Sequence, residues 1–386
     1  MAKAMRDALG GVSRLAEGKG GLEDVVACDS EICFIDGKQG RLLYRGYDIT
    51  ELAGHVSFEE VCHLLWYGDL PSAEQLKQLR GRLAEARALP PGIIQLLRAL
   101  PPARPMMTLR TAVSALGLYD PERDDNSLPA CQRKAERLTA QIPTVVAAMA
   151  RLHDGKDPVA PRSDLGEAAN FLYMMRGAQP EPLQVEAMDM ALVLHADHEL
   201  NASTFSARVT AATLADMHAA ITSAVGTLEG PLHGGANEEV MRMLVKIGTP
   251  DKAADFVRDA LAAGQKISGF GHRVYRTEDP RATILRRMSH DLGERAGSTL
   301  YYDITRAVEK AIFEAKKLYP NVDLYSASTY NAMGIPTDFF TPIFAISRVS
   351  GWTAHVLEQY AHNRLIRPRA EYVGPGLRHV PATAGA

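Results

Sequence analysis

The sequence predicts a large all-α protein in which a smaller helical domain is inserted into a larger one. Three observations carry that expectation. From Ser57 onward, apolar residues recur at helical spacing in segment after segment, each bounded by caps, glycines or prolines. The one convincing β signal, around Ile32–Ile35 and Leu42–Tyr44, is too short to build a sheet core. No Gly-rich phosphate loop follows a strand, and no strand–helix alternation supports a nucleotide-binding α/β fold.

Composition narrows the classes further. The chain has 386 residues and a formal net charge of −3. That length suits about two or three domain-sized units. The near-neutral balance gives no electrostatic case for nucleic acid or an anionic membrane. No uncharged run approaches the roughly 18 apolar residues of a membrane span. The start, MAKAMRDALGG, has no hydrophobic signal-peptide region. Cys28, Cys33, Cys62 and Cys131 are scattered without a CxxC pair, and read as reduced thiols in a cytoplasmic protein. A Cys28–Cys33 bridge is the less favoured reading.

Taken in order, residues 1–20 are Gly- and charge-rich and read as a tail. Asp36-Gly-Lys-Gln-Gly40 is a turn between the two short strand candidates. Ser57-Phe-Glu-Glu60 and Ser72-Ala-Glu-Gln75 are capping boxes, the first helix stopping at Gly68 and Pro71. Pro90-Pro91 opens a helix over 93–100. Helices are expected over 108–118 and 130–152, the half Ile142–Met149 deeply buried because it is apolar on most of its surface. Further helices are expected over 162–175, over 181–209 as one long periodic run, and over 216–226, 237–247, 251–263, 282–296, 302–318 and 343–360. Gly226, Gly230 and Pro231 form one candidate hinge, and Tyr319-Pro320 with the loop to Asp323 the other. They bracket 226–323 as the small domain, with 21–225 and 324–374 as the large one and 375–386 as a C-terminal tail. No fixed repeat period points to a solenoid.

Four histidine- or acid-bearing patches and an arginine-rich end stand out. Lys266 to Arg281 places His272 behind a Gly-Phe-Gly turn and then supplies Arg273, Arg276 and Arg281, with Asp279 as cap of a helix starting at Pro280. Planar guanidiniums grip carboxylates and an imidazole can protonate an oxygen, so this stretch suits an anionic carbonyl substrate. His195-Ala-Asp-His-Glu199 falls mid-helix in the expected 181–209 run, putting His195 and His198 on one face. As metal ligands they lack the HExxH spacing and a third partner, so they read as core histidines or a substrate contact. His233, in Gly230-Pro-Leu-His-Gly-Gly-Ala-Asn237, precedes a helix and could donate to a developing oxyanion. Asp323, in Asn321-Val-Asp-Leu-Tyr325, is either a helix cap or a partly desolvated base. Arg348, Arg364, Arg367 and Arg369 crowd the C-terminal segment.

Each patch alone is ambiguous, but together GPLHGGAN, GFGHRVYRTEDPR, PNVDLYSAS, FTPIFAISRVSGW and NRLIRPRAEYVG resemble, in order and spacing, the motifs of the citrate synthase family. The resemblance runs from about residue 21 to 374 and is strongest to the short, dimeric bacterial members. The N-terminal extension that carries NADH regulation in the long hexameric members has no counterpart in it.

The resemblance implies a citrate synthase-like fold and a reaction that condenses acetyl-CoA with oxaloacetate, with no metal and no cofactor beyond acetyl-CoA as substrate. It assigns Asp323 as the base for the acetyl methyl, His233 as donor to the thioester oxygen, and His272 as donor to the keto oxygen of oxaloacetate. Arg281, Arg348 and Arg367 match carboxylate clamps, with His198 beside them, and Arg276 matches a residue facing the CoA phosphates. Arg367 is expected to act in trans across a homodimer. The same residues would serve a 2-methylcitrate synthase using propionyl-CoA. A non-catalytic helical binding protein and a metal-dependent hydrolase are the remaining readings.

Overall fold

The computed structural model describes residues 21–22, 25–272 and 274–380, so the 1–20 tail, Arg273 and the last residues of the C-terminal tail lie outside it. Contacts divide the chain after Glu31. Before that point, the Val25 N–H donates to the Leu22 carbonyl at 3.1 Å.

The organising element is the helix Phe340–Ala361, in which every residue from 340 to 357 is buried. A helix buried on all sides must be surrounded. Phe58–Tyr67, Pro105–Leu116, Leu128–His153, Pro182–His195, Ala202–Ala211 and Met217–Leu228 all pack on it. A second group, Ala236–Ile247, Ala253–Ala262, Pro280–Arg295, Leu300–Lys316 and Val322–Ala332, packs largely on itself. The fold is therefore all-α, as expected. Among the described residues, no helix is long and apolar enough to cross a membrane.

The local signals behave as their chemistry requires. Both capping boxes form, at Ser57 with Glu60 and at Ser72 with Gln75, and Gly68 ends the first helix in the left-handed region. Residues 142–150 are buried, and Pro143 is accommodated inside Leu128–His153. The β signal yields an antiparallel sheet of three strands, β1 (Cys33–Asp36), β2 (Arg41–Tyr44) and β3 (Tyr47–Asp48). Its 36–40 turn is closed by Asp36 Oδ1, which accepts from the Lys38 and Gln39 N–H groups at 2.9 and 3.0 Å.

Three expectations are corrected. The helix foreseen over 162–175 starts only at Glu167, because the 162 and 165 carbonyls turn away to accept from the buried Arg87 guanidinium at 2.7 and 2.8 Å. Residues Val322–Ala332 form a helix that the sequence reading did not foresee. Most consequentially, the long 181–209 helix is broken into Pro182–His195 and Ala202–Ala211. His198 therefore sits in the break rather than on a helix face with His195.

Candidate active site

The break at 196–201 is held by specific partners for the carbonyls it frees. A helix end leaves carbonyls without intrahelical donors. Here Arg348 Nε donates to the His195 carbonyl at 2.7 Å, the Gly351 N–H to that of Ala196 at 3.1 Å, and the Tyr44 hydroxyl to that of Asp197 at 2.9 Å. The Asp197 N–H returns to the Tyr44 oxygen at 3.2 Å. Only glycine fits at 351, since a Cβ there would lie 2.3 Å from the Ala196 oxygen. Glu199 adopts φ +52°, a left-handed conformation that costs a non-glycine residue energy. Asn201 then caps the second helix, accepting from the Ser203 and Thr204 N–H groups.

That break presents His198 to the 272–279 loop. Its ring lies 5.0 Å from His272 and 5.7 Å from Tyr275, centroid to centroid. His272 Nδ1 accepts from the Val274 and Tyr275 N–H groups, both at 3.0 Å. A backbone N–H can only donate, so in the neutral ring the proton sits on Nε2. The loop is itself clasped by the β1–β2 turn: the Arg276 N–H donates to the Gly37 carbonyl at 2.8 Å. A Cβ on Gly37 would stand 2.1 Å from the Val274 oxygen, which explains glycine at that turn position.

His233, just before Ala236–Ile247, is tied through its other nitrogen. Its Nε2 lies 2.8 Å from Ser203 Oγ and accepts from the Ser203 N–H at 3.3 Å. Trp352 Nε1 donates to that same hydroxyl at 3.1 Å. The proton of a neutral His233 is thus on Nδ1. Asp323 sits in the first turn of Val322–Ala332, whose cap is Asn321, so of its two readings the cap is filled by another residue.

Charge and burial then set the protonation states. Burial, reinforced by the Arg281 guanidinium, brings His272 down to about 4 against the pull of Asp279. Burial and Arg348 bring His233 to about 4. Burial, with Arg281 and His272 next, holds His198 well below its ordinary value. Burial pushes the Asp323 carboxyl up to about 6, against the opposing pull of Arg281 and Arg348. Arg281 is 3 % exposed and makes a bidentate pair with Asp279 at 3.0 and 2.8 Å. Arg348 is 1 % exposed and stacks 4.7 Å from the Phe344 ring centre.

His195 Nε2, His198 Nε2, Tyr275 Oη and Asp323 Oδ1 are all buried without a hydrogen-bond partner. Arg281 is near enough to shift the titration of all four residues. Gathered around two buried guanidiniums, these polar atoms form a lining suited to an anionic ligand.

Six of the eight residues singled out from the sequence, namely His198, His233, His272, Arg281, Asp323 and Arg348, converge in this way. Arg276 is exposed on the rim of a cleft that also includes His272, Thr277, Lys317 and Tyr319. Arg367 is not brought in: it lies on an exposed, irregular segment after Ala361. Sequence reasoning missed Ser203, Tyr275, Tyr44 and Asp197. For Ser203 the available signal was Asn201-Ala-Ser, a cap sequence inside an apparent helix. Among the described residues no group of three or more His, Cys, Asp or Glu side chains is placed to hold a metal ion.

Comparison with known proteins gives the family and the fold. The sequence model of the family described as "Citrate synthase, C-terminal domain" matches residues 21–369. A citrate synthase of Haloferax volcanii is 52% identical over 362 residues, covering 92% of this chain and 96% of that one. The crystal structure of citrate synthase from Pyrobaculum aerophilum superposes with a TM-score of 0.88 at 45% identity, covering 94% of both chains. A citrate synthase from Thermoplasma acidophilum, solved as a ternary complex with carboxymethyl coenzyme A and oxaloacetate, gives a TM-score of 0.89 at 33% identity, covering 94% of this chain and 98% of that one.

Proposed function

The chain belongs to the citrate synthase family, and from that premise we propose how its residues divide the condensation of acetyl-CoA with oxaloacetate. The carrying observation is the pairing of opposites. Asp323 is a buried carboxyl raised to about 6 with an unpartnered oxygen, while His233 and His272 are neutral rings, each with one nitrogen tied and one N–H left to give.

A thioester α-proton is very weakly acidic, so a carboxylate removes it only if the oxygen is stabilised in the same step. Asp323 takes the methyl proton as His233 Nδ1–H donates to the thioester oxygen. The enol carbon attacks the keto carbon of oxaloacetate, and the keto oxygen takes the proton offered by His272 Nε2–H. Water then cleaves the citryl thioester, releasing citrate and CoA. Arg281, Arg348 and His198 hold the oxaloacetate carboxylates, and Arg276 faces the CoA phosphates. Residues 226–323 act as the smaller domain, closing on oxaloacetate to complete the acetyl-CoA site and exclude water. No cofactor enters these steps.

The third clamp comes from the partner subunit of a homodimer. Arg367 lies outside its own chain's site on an exposed segment, which favours service to a neighbouring one. Two nearly inactive homodimers, Asp323→Asn and Arg367→Leu, test this when mixed under conditions that exchange subunits. With Arg367 in trans, each mixed dimer has one intact site of two, so an equal mixture recovers about a quarter of wild-type activity. Verified exchange without recovery would sink the shared site. A CoA-release assay with oxaloacetate as acceptor decides the acyl donor, with acetyl-CoA expected to exceed propionyl-CoA in kcat/KM. One methylene shifts binding by only about 1–3 kcal/mol, so a reversal would move the reading to 2-methylcitrate synthase.

A further inference from the structure

Asp197 is 0 % exposed and stands between His195 and His198, inside the break that shapes the anion site. A carboxylate in that position is a liability for a site meant to take a dianion, unless its charge is turned away and satisfied. Three groups face it, although Oδ1 itself accepts no hydrogen bond. The Glu199 N–H donates to Oδ2 at 2.9 Å. The Cys33 thiol is close enough to help hold the Asp197 carboxyl below its ordinary value. His355 Nε2 lies 3.3 Å from Oδ1 and 3.4 Å from Oδ2.

His355 is 1 % exposed and sits one and two turns beyond Gly351 and Arg348, the residues that receive the freed carbonyls. Its other nitrogen, Nδ1, is met by Arg208 Nε at 3.0 Å and Nη2 at 2.9 Å. A guanidinium has donors only, so Nδ1 must be the bare nitrogen and the ring proton must be on Nε2, facing Asp197. Arg208 is 2 % exposed and is held in turn by Gln359 Oε1 at 3.2 Å and by the Glu358 carboxylate. The result is a chain, Glu358–Arg208–His355–Asp197, buried from Arg208 inward and with one proton arrangement. None of its members has a place in the chemistry described above.

We propose that His355, oriented by Arg208, is a positioning residue for the oxaloacetate site. It draws the Asp197 carboxylate toward the central helix, fixes the strained 197–199 backbone, and so aims the unpartnered His198 Nε2 at the substrate. This rests on the reading of His198 as an oxaloacetate contact.

The test separates positioning from simple stability. His355→Leu removes both the donor and the acceptor and leaves Asp197 a buried carboxylate short of a partner. The KM for oxaloacetate should rise roughly 10–100-fold, the effect of losing a hydrogen bond to a charged group. At saturating oxaloacetate, kcat should change less than about threefold. His355→Gln offers an amide oxygen to Arg208 and an amide N–H to Asp197, and should restore most of the KM. A Leu variant with normal KM, or a Gln variant no better than Leu, overturns the proposal. A merely structural role would lower the melting temperature and the active fraction while leaving KM alone. If His355→Leu does not fold, Arg208→Lys serves instead. It keeps the charge beside Glu358 but gives up the fork on Nδ1, and should raise KM in the same way to a smaller extent; no change overturns the proposal. His198→Gln is the control for the underlying reading. If it leaves the oxaloacetate KM unchanged, the assignment of His198 fails; if it raises KM and His355→Leu does not, the positioning chain fails.

Discussion

His272 and His233 are both neutral imidazoles with one ring nitrogen tied and the other free to donate, but the ties come from different distances along the chain. His272 is fixed by N–H groups two and three residues ahead of it, within one loop. His233 is fixed by Ser203, thirty residues earlier, on a helix whose start depends on the 196–201 break. The first arrangement is a property of a short motif, and the second a property of the assembled fold. The loop that fixes His272 is not self-sufficient, however, because the β1–β2 turn backs it from far away in sequence. Local geometry sets which nitrogen donates, and distant packing sets where it points.

The widest gap that comparison can show lies between polarising an oxygen and moving a proton. Because each histidine's bare nitrogen is already tied, neither can take the methyl proton, and it must go to Asp323. Asp323→Asn should then keep oxaloacetate binding and lose turnover by roughly 10²–10⁴-fold, the range for a general base. Near-normal turnover in a steady-state assay would assign the proton elsewhere.

Gly37→Ala probes the backing of His272 alone. The added methyl meets the Val274 backbone oxygen, which cannot rotate aside, so the loop has to shift. A displacement near 1 Å of a catalytic group costs about 10²-fold in kcat/KM. A variant that folds normally and keeps full activity would show the turn to be dispensable. Ser203→Ala probes the tie on His233 and should do much less. It removes the hydroxyl at 2.8 Å but leaves the Ser203 N–H on Nε2. A loss of about 3–10-fold, seen with saturating oxaloacetate, matches one neutral hydrogen bond. A loss as large as that of Gly37→Ala would mean the two histidines are held alike after all.

The smallest effect is a matter of pH and stability. With both rings near 4 and Asp323 near 6, Asp323 is the one of the three that changes charge between pH 5 and 7. As a base it must be ionised, so kcat/KM for acetyl-CoA should fall below about pH 6 and level off above it. The same shift has the opposite sign for folding. A carboxyl raised from 3.8 to about 6 by burial favours the fold most fully below 3.8, and that contribution is lost as pH rises through about 6. Asp323→Asn should therefore be more stable than wild type at pH 8, by up to roughly 3 kcal/mol, and no different below pH 4. Denaturation midpoints at the two pH values would show it; equal midpoints at pH 8 would mean the carboxyl bears no desolvation cost.

The same division between near and far explains what was legible in the sequence. Capping boxes at Ser57 and Ser72, the Asp36–Gly40 turn and the Asp279 cap are complete within four or five residues, and all formed. The all-α fold was legible because helical periodicity is local too. The break after His195 was not, because apolar spacing runs straight through it and the groups that receive its carbonyls are Tyr44, Arg348 and Gly351. Val322–Ala332 was hidden by its Ser, Thr and Tyr content, which burial overrides. The catalytic candidates were legible through their motifs, whereas Asp197, His355 and Arg208 carry no motif and become visible only when three helices meet.

The dependence of the 196–201 break on the central helix also has a consequence for the order in which the molecule can be made. Residues 195–197 leave the ribosome about 150 residues before Arg348 and Gly351. At synthesis rates of about 5–20 residues per second, that is a wait of roughly 8–30 s. During it the freed carbonyls have Tyr44 but not the central helix, and nothing yet rules out a continuous helix through His198. The anion site is thus among the last parts of a nascent chain to take its final shape. Chains arrested before residue 340 should be cut by protease between 195 and 202, and chains extended past 361 should not.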